Sequence, residues 1–405
     1  MDDFNPLVLL IPFIAGFIGW FTNWLAVKAT LYPVEFVGIP PLLGWQGVIP
    51  KNTEEMSQSF SVLIRDKLVD MEGIFAGIDH DDNEELDKVV EDVAQEIIRE
   101  FSTNIAPDSW ARAREKLREY INMLVRRNVR RVTVEILDRM GKEAGDFIDI
   151  DAVVREAMLE DRALLGRVLV QIAGPEFKFI ERSGLYFGFL FGVFQMIIWV
   201  LYPVAWILPA AGFFVGYLTN WIAIKLVFAP REPVKIGPMT VQGLFHKRQN
   251  EVAEAFGRTV ATRVLSPDNI VTTVMEGDGA TRMNQIVEHR ISDLIGKYEA
   301  HPMAKLVLPE EKRPALRTEL LERIKTEWPK PGGFFHTFAA ESVDLQGELE
   351  RRMKALDRES YEGVLRPAFQ QDEWKLIAAG AVLGTVAGVL QLVYIFGDAM
   401  ERLSR

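Results

Sequence analysis

Three stretches of the 405-residue chain contain no charged side chain, and they constrain the fold most strongly. A helix rises about 1.5 Å per residue and the hydrocarbon layer of a bilayer is about 30 Å thick. The first and last stretches, residues 7–27 and 376–397, are therefore each long enough for one crossing. The middle stretch, residues 184–224, is long enough for two crossings with a turn at Tyr202-Pro203. The sequence predicts an all-α integral membrane protein with transmembrane helices at 7–28, 184–202, 205–228 and 376–396.

Most of the charge lies between these helices, and its sign predicts the orientation of the chain. Four crossings place residues 51–182 and 231–375 on the same side of the membrane, where Lys and Arg are frequent near the helix ends. On the opposite side, Arg402 and Arg405 are the only Lys or Arg residues. Lys and Arg are enriched in cytoplasmic loops, and acidic residues contribute little to this bias. We therefore expect two large cytoplasmic domains, despite the net charge of −11, with both termini on the far side.

The chain repeats itself with an offset of 196 or 197 residues. GWFTNWLAVK at residues 19–28 returns as GYLTNWIAIK at residues 216–225. This self-similarity predicts a tandem duplication, with repeat 1 at 1–203 and repeat 2 at 204–405. In each repeat a large helical domain, 51–182 or 231–375, is inserted between two membrane helices. An even number of crossings per repeat predicts parallel repeats, which share one orientation.

The first membrane helix of each repeat ends in a polar motif. The motif residues are Thr22, Asn23, Trp24 and Lys28 in repeat 1, and Thr219, Asn220, Trp221 and Lys225 in repeat 2. An asparagine within a membrane can bond a neighbouring helix, which makes the motif a structural clasp. Intramembrane polar groups also mark binding or conduction sites, which is the alternative. The lysines are expected to extend to the cytoplasmic surface.

Small residues form stripes along all four predicted membrane helices. Gly19 and Gly216 lie in line with the asparagines of the first helices. The second helices carry a longer stripe of glycines that ends in glutamine: Gly184, Gly188, Gly192 and Gln195, and Gly380, Gly384, Gly388 and Gln391. Small side chains let helix backbones approach closely. We therefore predict that the asparagine-bearing helices pack against the glycine-striped helices, within a repeat or across repeats.

A loop rich in Pro and Gly follows the first helix of each repeat. Its shared residues are Gln46, Gly47 and Lys51 in repeat 1, and Gln242, Gly243 and Lys247 in repeat 2. An irregular backbone cannot lie in hydrocarbon unpaired, so these loops are expected to pack on protein or at the membrane interface. They are interpreted as elbows into the cytoplasmic domains, with a gate or a ligand seat as the alternative.

Signatures of catalysis are missing from the sequence. The five histidines are scattered and none forms an H-E-x-x-H motif, and no glycine-rich loop ends in Gly-Lys-Ser/Thr. The sequence therefore predicts no enzyme, no catalytic or metal-binding residue and no cofactor.

Together these motifs resemble a known family. The order G-x-x-T-N-W-[LI]-A-[VI]-K, then Q-G-[VL]-[IF]-x-K, then G-x-x-x-G-x-x-x-G-x-x-Q resembles bacterial membrane proteins of the domain-of-unknown-function 445 family, over nearly the whole chain. One departure is Lys51-Asn52, where the family pattern has a basic pair that Lys247-Arg248 retains. The resemblance implies a protein of the bacterial cytoplasmic (inner) membrane, and it implies no established chemistry.

Two functions fit these observations. The first is an oligomeric envelope scaffold or membrane-organising assembly, whose partners are membrane lipid and further copies of the chain, without nucleic acid. The alternative is a conduit or transporter for lipid or another apolar solute, along a path formed by the repeats or the oligomer. No charged residue or histidine lies within the cores of the predicted spans, which argues against an ion-coupled pump.

Overall fold

The computed structural model describes residues 6–39, 43–76, 84–105, 107–142, 148–276, 344–370 and 373–395, and isolated residues between 281 and 330. The helices with described bounds are α1 (Ile11–Leu31), α2 (Val48–Lys51), α3 (Thr53–Leu63), α4 (Met71–Ala76), α5 (Glu84–Glu100), α6 (Pro107–Arg112), α7 (Glu115–Lys142), α8 (Ile150–Glu160), α9 (Leu164–Leu201), α10 (Ile207–Phe228), α11 (Leu244–Lys247), α12 (Gln249–Arg263), α13 (Pro267–Glu276), α14 (Leu345–Ala355), α15 (Arg358–Gln370) and α16 (Glu373–Ile395). Shorter helical turns of other types cover Pro6–Leu10, Ile64–Leu68 and Phe101–Ile105.

Four helices are long and apolar enough to cross a membrane: Pro6–Leu31, which contains α1, then α9, α10, and Ile377–Ile395 within α16. They coincide with the four predicted membrane helices, except that α9 begins earlier. The predicted class, a helical membrane protein with four candidate membrane-spanning helices, is confirmed.

Helix α9 begins earlier than the sequence predicts. It starts at Leu164, whereas the charge-free stretch starts at Gly184, and it has 38 residues. At about 1.5 Å per residue it is about 57 Å long, nearly twice the hydrocarbon thickness. The helix is interrupted at Ala173 (φ −109°, ψ 17°), two residues before Pro175. A proline inside a helix lacks the amide hydrogen and crowds the preceding turn, which explains the kink.

Two short antiparallel hairpins are additions to the predicted all-α architecture. The first pairs β1 (Val37–Ile39) with β2 (Leu43–Trp45), and the second pairs β3 (Val234–Ile236) with β4 (Met239–Val241). Each hairpin follows a membrane helix after a cis peptide bond, at Tyr32-Pro33 and at Ala229-Pro230. The second hairpin reverses at Gly237, whose φ of 60° favours glycine. The apolar loops are thus ordered by backbone pairing.

The chain divides into two compact units, and each unit takes segments from both halves of the sequence. The first comprises Met1–Leu63, Met158–Thr259 and Glu350–Arg405, and the second Ile64–Ala157 and Val260–Leu349. The predicted domain boundaries instead follow the repeats, and they remain a prediction.

The first unit contains the four membrane helices and a core at each end of them. At one end, the beginnings of α1 and α10 meet the ends of α9 and α16 in a cluster that includes Ile11, Trp199, Leu208 and Leu392, each at most 8% exposed. Beyond the other end, Phe245 and Tyr361 are fully buried and their rings stack, with centroids 4.3 Å apart and an interplanar angle of 9°. The membrane helices thus have a packed core at each end.

The second unit contains helices that join oppositely charged surfaces. Within it α5 packs against α7, where Arg126 Nη2 lies 2.7 Å from Glu91 Oε1 and Arg130 pairs with Asp87. Arg65 pairs with Asp151 in the same unit. These side chains are substantially exposed to solvent, so the pairs contribute little to stability.

Candidate functional site

The structure brings the predicted small-residue stripes together within each half of the chain. Helix α1 packs against α9, and α10 packs against α16. The approach is so close that a Cβ atom added to Gly19 would collide with the carbonyl oxygen of Gly184, and one added to Gly216 would collide with that of Gly380. The remaining glycines of the stripes meet the partner backbone in the same way. Gly188 and Gly192 of α9 meet the backbone of α1, and Gly384 and Gly388 of α16 meet the backbone of α10. Gln195 and Gln391 end the stripes as buried residues.

The asparagines lie at these close contacts. Asn23 is fully buried, and its amide nitrogen donates a hydrogen bond of 2.6 Å to the carbonyl oxygen of Ile180 on α9. Asn220 is also buried, and its amide nitrogen occupies the space that a Cβ atom on Gly380 of α16 would need. Because glycine leaves no side chain above the backbone, each amide can rest directly on the partner helix.

The threonines of the motif bond within their own helices. Thr22 donates its hydroxyl to the carbonyl oxygen of Gly19 at 3.1 Å, and Thr219 donates to that of Val215 at 2.8 Å. Both side chains are buried. Backbone bonding of this kind satisfies a hydroxyl in an apolar environment.

The tryptophans and lysines of the motif lie farther out. Trp24 is half-buried and its ring stacks with that of Trp20, and Trp221 is exposed. Lys28 and Lys225 are exposed in the last turns of α1 and α10. The amphipathic ends of these side chains suit a membrane–water boundary.

The loop residues fasten each hairpin to the end of its membrane helix. The amide of Gly47 donates to the carbonyl oxygen of Pro33, and that of Gly243 to Pro230, both at 2.9 Å. Gln46 donates its side-chain amide to the carbonyl oxygen of Val34 at 2.8 Å, and Gln242 does so to Arg231 at 3.0 Å. Lys51 and Lys247 end the short helices α2 and α11, which follow the glycines directly. Neither glycine has room for a Cβ atom, because the chain leaving the membrane helix passes within 3 Å of that position.

A buried ionic cluster is the main feature that the sequence did not predict. Glu362 on α15 is 2% exposed and accepts a hydrogen bond of 2.5 Å from Arg231 Nε. It also pairs with Arg366 and lies 3.6 Å from Nε2 of His246. The His246 side chain is fully buried, and neither ring nitrogen forms a hydrogen bond with the described residues. We call these four residues the Glu362 cluster.

A second buried pair joins the two halves of the chain beside the kink of α9. Glu176 is fully buried and accepts a hydrogen bond of 2.5 Å from Arg248 Nη1, and Arg248 also donates to Glu251 at 2.7 Å. A buried carboxylate is costly without a partner, so this bond fixes α9 to the segment that follows α11. Glu176 and Arg248 are distant in sequence, so their pairing could not be predicted. The adjacent basic residues Lys247 and Arg248 are the feature of the sequence that marks this position.

Neighbouring polar contacts hold the start of α15 against the segment that follows the second hairpin. Arg358 donates to the side-chain oxygen of Gln249 at 2.8 Å, and Gln249 donates to the carbonyl oxygen of Leu356 at 3.0 Å. The hydroxyl of Tyr361 donates to the carbonyl oxygen of Phe245 at 3.1 Å. The connection between α10 and α16 is thus held by side chains on both segments.

Burial and charge shift the proton affinities of these groups. Desolvation lowers the pKa of His246, although the nearby Glu362 carboxylate opposes that effect. Desolvation also raises the pKa of the Tyr361 phenol well above its usual range. Burial acts to lower the pKa of Arg248, but its hydrogen bonds to Glu251 and Glu176 prevail and raise it. These shifts favour the neutral form of His246 and the charged form of Arg248.

The arrangement is suited to rigid support. In the described part of the chain, no group of three or more His, Asp or Glu side chains is placed to hold a metal ion. A cavity of about 20 Å³ lies among the membrane helices, lined in part by Thr30, Asn220 and Ile224. This volume holds about one water molecule. The buried carboxylates Glu176 and Glu362 each have an arginine partner, which favours a structural role for them.

Comparison with known proteins confirms the predicted resemblance. The model of a family described as "Protein of unknown function (DUF445)" matches residues 210–371. A UPF0754 membrane protein of Geobacillus kaustophilus is 26% identical over 155 residues, which are 36% of this chain and 41% of the relative. A UPF0754 membrane protein of Exiguobacterium sibiricum is 30% identical over 115 residues, 25% of this chain and 30% of the relative.

A third relative matches a shorter segment more closely. A UPF0754 membrane protein of Geobacillus thermodenitrificans is 40% identical over 65 residues, which are 15% of this chain and 17% of the relative. The chain therefore spans less than half the length of each of these curated relatives. No solved structure matches the chain.

Proposed function

We propose that this chain, which resembles the DUF445 proteins of unknown function, is a non-enzymatic scaffold of the bacterial inner membrane. In this proposal, two parallel tandem repeats form a rigid membrane base that assembles with further copies and holds helical domains at the cytoplasmic surface. The observation that carries it is the close packing of the base. Glycine backbones meet directly in both helix pairs, and the amide nitrogen of Asn23 is bound to the partner helix.

Equivalent contacts in the two halves support the tandem repeat. Gly47 bonds Pro33 in the first half, and Gly243 bonds Pro230 in the second, at the same distance of 2.9 Å. In each half a short hairpin follows the asparagine-bearing helix. A duplicated unit with one orientation is expected to reproduce such contacts at a constant sequence offset.

The cavity among the helices favours a scaffold over a conduit. A phospholipid is far larger than the roughly one water molecule that 20 Å³ admits. This cavity therefore offers no path for a lipid. Copies can associate through the outer faces of the membrane helices, where Phe17 and Phe194 are 58% and 56% exposed.

The scaffold is tested by native mass spectrometry of the detergent-purified protein after extensive delipidation. We expect a single defined multiple of the 46.0 kDa chain, without phospholipid in stoichiometric amount. Retention of a fixed number of phospholipids per chain would contradict the scaffold and favour the conduit. A purely monomeric mass would contradict the assembly part of the proposal. Val382→Leu, at a 60% exposed position off the glycine stripe, is the matched preparation control.

A further inference from the structure

Each hairpin carries an apolar face that is at least partly exposed. In β1, Val37 and Ile39 are 63% and 72% exposed, and Trp45, which pairs with Val37 across the hairpin, is 46% exposed. Alternate residues of a strand, and residues directly opposite each other, point to the same face. These three side chains therefore form one continuous apolar face.

The second hairpin has the same face with a polar reverse side. Val234 is 46% exposed and pairs with Val241, whereas Lys235 pairs with Thr240 on the other face. Lys235 and Thr240 are both exposed. The pleat of the strands thus separates valines from a lysine and a threonine, and the hairpin is amphipathic.

Hydrogen bonds fix the depth of the first hairpin relative to the membrane helix. The indole nitrogen of Trp45 donates to the carbonyl oxygen of Ala29 at 3.2 Å, and Ala29 lies in the last turn of α1. With about 1.5 Å of rise per residue, Ala29 is roughly 3 Å from the helix end at Leu31. At the same level Lys28 is exposed and its ammonium lies 5.5 Å from the ring centroid of Tyr32. Aromatic residues and lysines of this kind mark a membrane–water interface.

We propose that both hairpins are interfacial anchors, whose apolar faces lie against phospholipid of the same bilayer at the boundary between head groups and acyl chains. The occupant is lipid because the apolar face adjoins the last turn of a membrane-crossing helix, where Trp45 bonds Ala29. Burying an amphipathic element with one apolar face at this boundary is favourable. The inference does not depend on the scaffold role, since it requires only that α1 and α10 cross the membrane.

The chain contains no cysteine, so single cysteines can report the surroundings of each face. Ile39→Cys, Val234→Cys and Thr240→Cys are each labelled with an environment-sensitive fluorophore, in protein reconstituted into phospholipid nanodiscs. Thr240 is the matched control because it lies in the same hairpin as Val234, on the opposite face. Quenching is then measured with lipids that carry a spin label just below the head group.

We expect strong quenching and blue-shifted emission at positions 39 and 234, and weak quenching at position 240. Water-like emission without quenching at positions 39 and 234 would overturn the proposal. Blue-shifted emission without quenching would also overturn it, because the face would then be covered by protein. Equal quenching at 234 and 240 would show immersion of the whole hairpin and contradict a one-sided anchor. Gel filtration of each labelled variant confirms that it remains folded.

Discussion

Two buried polar side chains, Asn23 and Glu176, fix one segment of this protein to another. Asn23 bonds the backbone of α9, and Glu176 bonds Arg248. The intramembrane position of Asn23 could be predicted, because it lies in a charge-free stretch at a regular spacing from small residues. Its acceptor, Ile180, could not be predicted, because it lies in the part of α9 that precedes the charge-free stretch.

The Glu362 cluster was missed for a different physical reason. Glu362 and its partner His246 are more than 100 residues apart, and contacts between such distant segments leave no periodic pattern. At an offset of 196 residues, His246 corresponds to Pro50 and Glu362 to Gly166, so the first half cannot form the same cluster. The difference between the two halves is the signal that was available.

His246 predicts a pH dependence of stability. Desolvation lowers its pKa below the ordinary 6.5, against the opposing charge of Glu362 and in the same direction as those of Arg358 and Arg231. Below pH 6.5 the unfolded chain therefore binds a proton that the folded chain does not, and stability falls as the pH decreases towards the folded-state pKa.

The melting temperature in detergent is the measurement, compared between about pH 7.5 and about pH 5.5. We expect the loss of melting temperature on acidification to be smaller in His246→Gln than in the unchanged protein. His289→Gln, at a side chain that is 70% exposed, should leave the pH dependence as it is. An identical pH dependence in all three proteins would contradict the assignment.

At the scale of elements, the helix pairs were the most predictable feature of the membrane base. Repeating glycines specify a close backbone contact, and the structure brings such stripes together. Which stripe meets which could not be predicted, since pairing within a half and pairing across halves satisfy the same pattern. The hairpins were also missed, because strands of three residues are too short to show an alternation of apolar and polar side chains.

Substitution on the glycine stripe tests this packing. In Gly384→Leu the new side chain would collide with the backbone of Gly212, and in Gly19→Leu with that of Gly184. Overpacking of this kind costs about 1–3 kcal/mol or more. We expect both variants to show a lower melting temperature and loss of the assembled peak on gel filtration.

Val382→Leu is the control, because Val382 lies on the same helix and is 60% exposed. It should retain the melting temperature and elution position of the unchanged protein. Unaltered stability in both glycine variants would refute the direct backbone contact between the helices.

At the scale of the whole molecule, each compact unit combines segments from both halves of the chain. The second unit contains Ile64–Ala157 and Val260–Leu349. Crossing number and charge could be predicted from local sequence, because they depend on length and composition. The association of segments from the two halves depends on tertiary contacts, and the sequence offers no local pattern for it.

The orientation predicted from Lys and Arg can be tested with two cysteine substitutions. Val204 lies in the turn between α9 and α10, and Ser59 lies on the exposed face of α3. We expect Val204→Cys to react with a membrane-impermeant maleimide added to intact cells after removal of the outer barrier. Ser59→Cys should react with the maleimide only after the cells have been lysed. The opposite pattern would place the large helical regions outside the cytoplasm.

The kink divides helix α9 into two segments of unequal length. About nine residues lie between Leu164 and the kink at Ala173, and about 28 lie between the kink and Leu201. At about 1.5 Å per residue, the two segments are roughly 14 Å and 42 Å long. The bond between Glu176 and Arg248 holds the long segment close to the kink. The long segment exceeds the hydrocarbon thickness of about 30 Å, and a helix of excess length is accommodated by tilting.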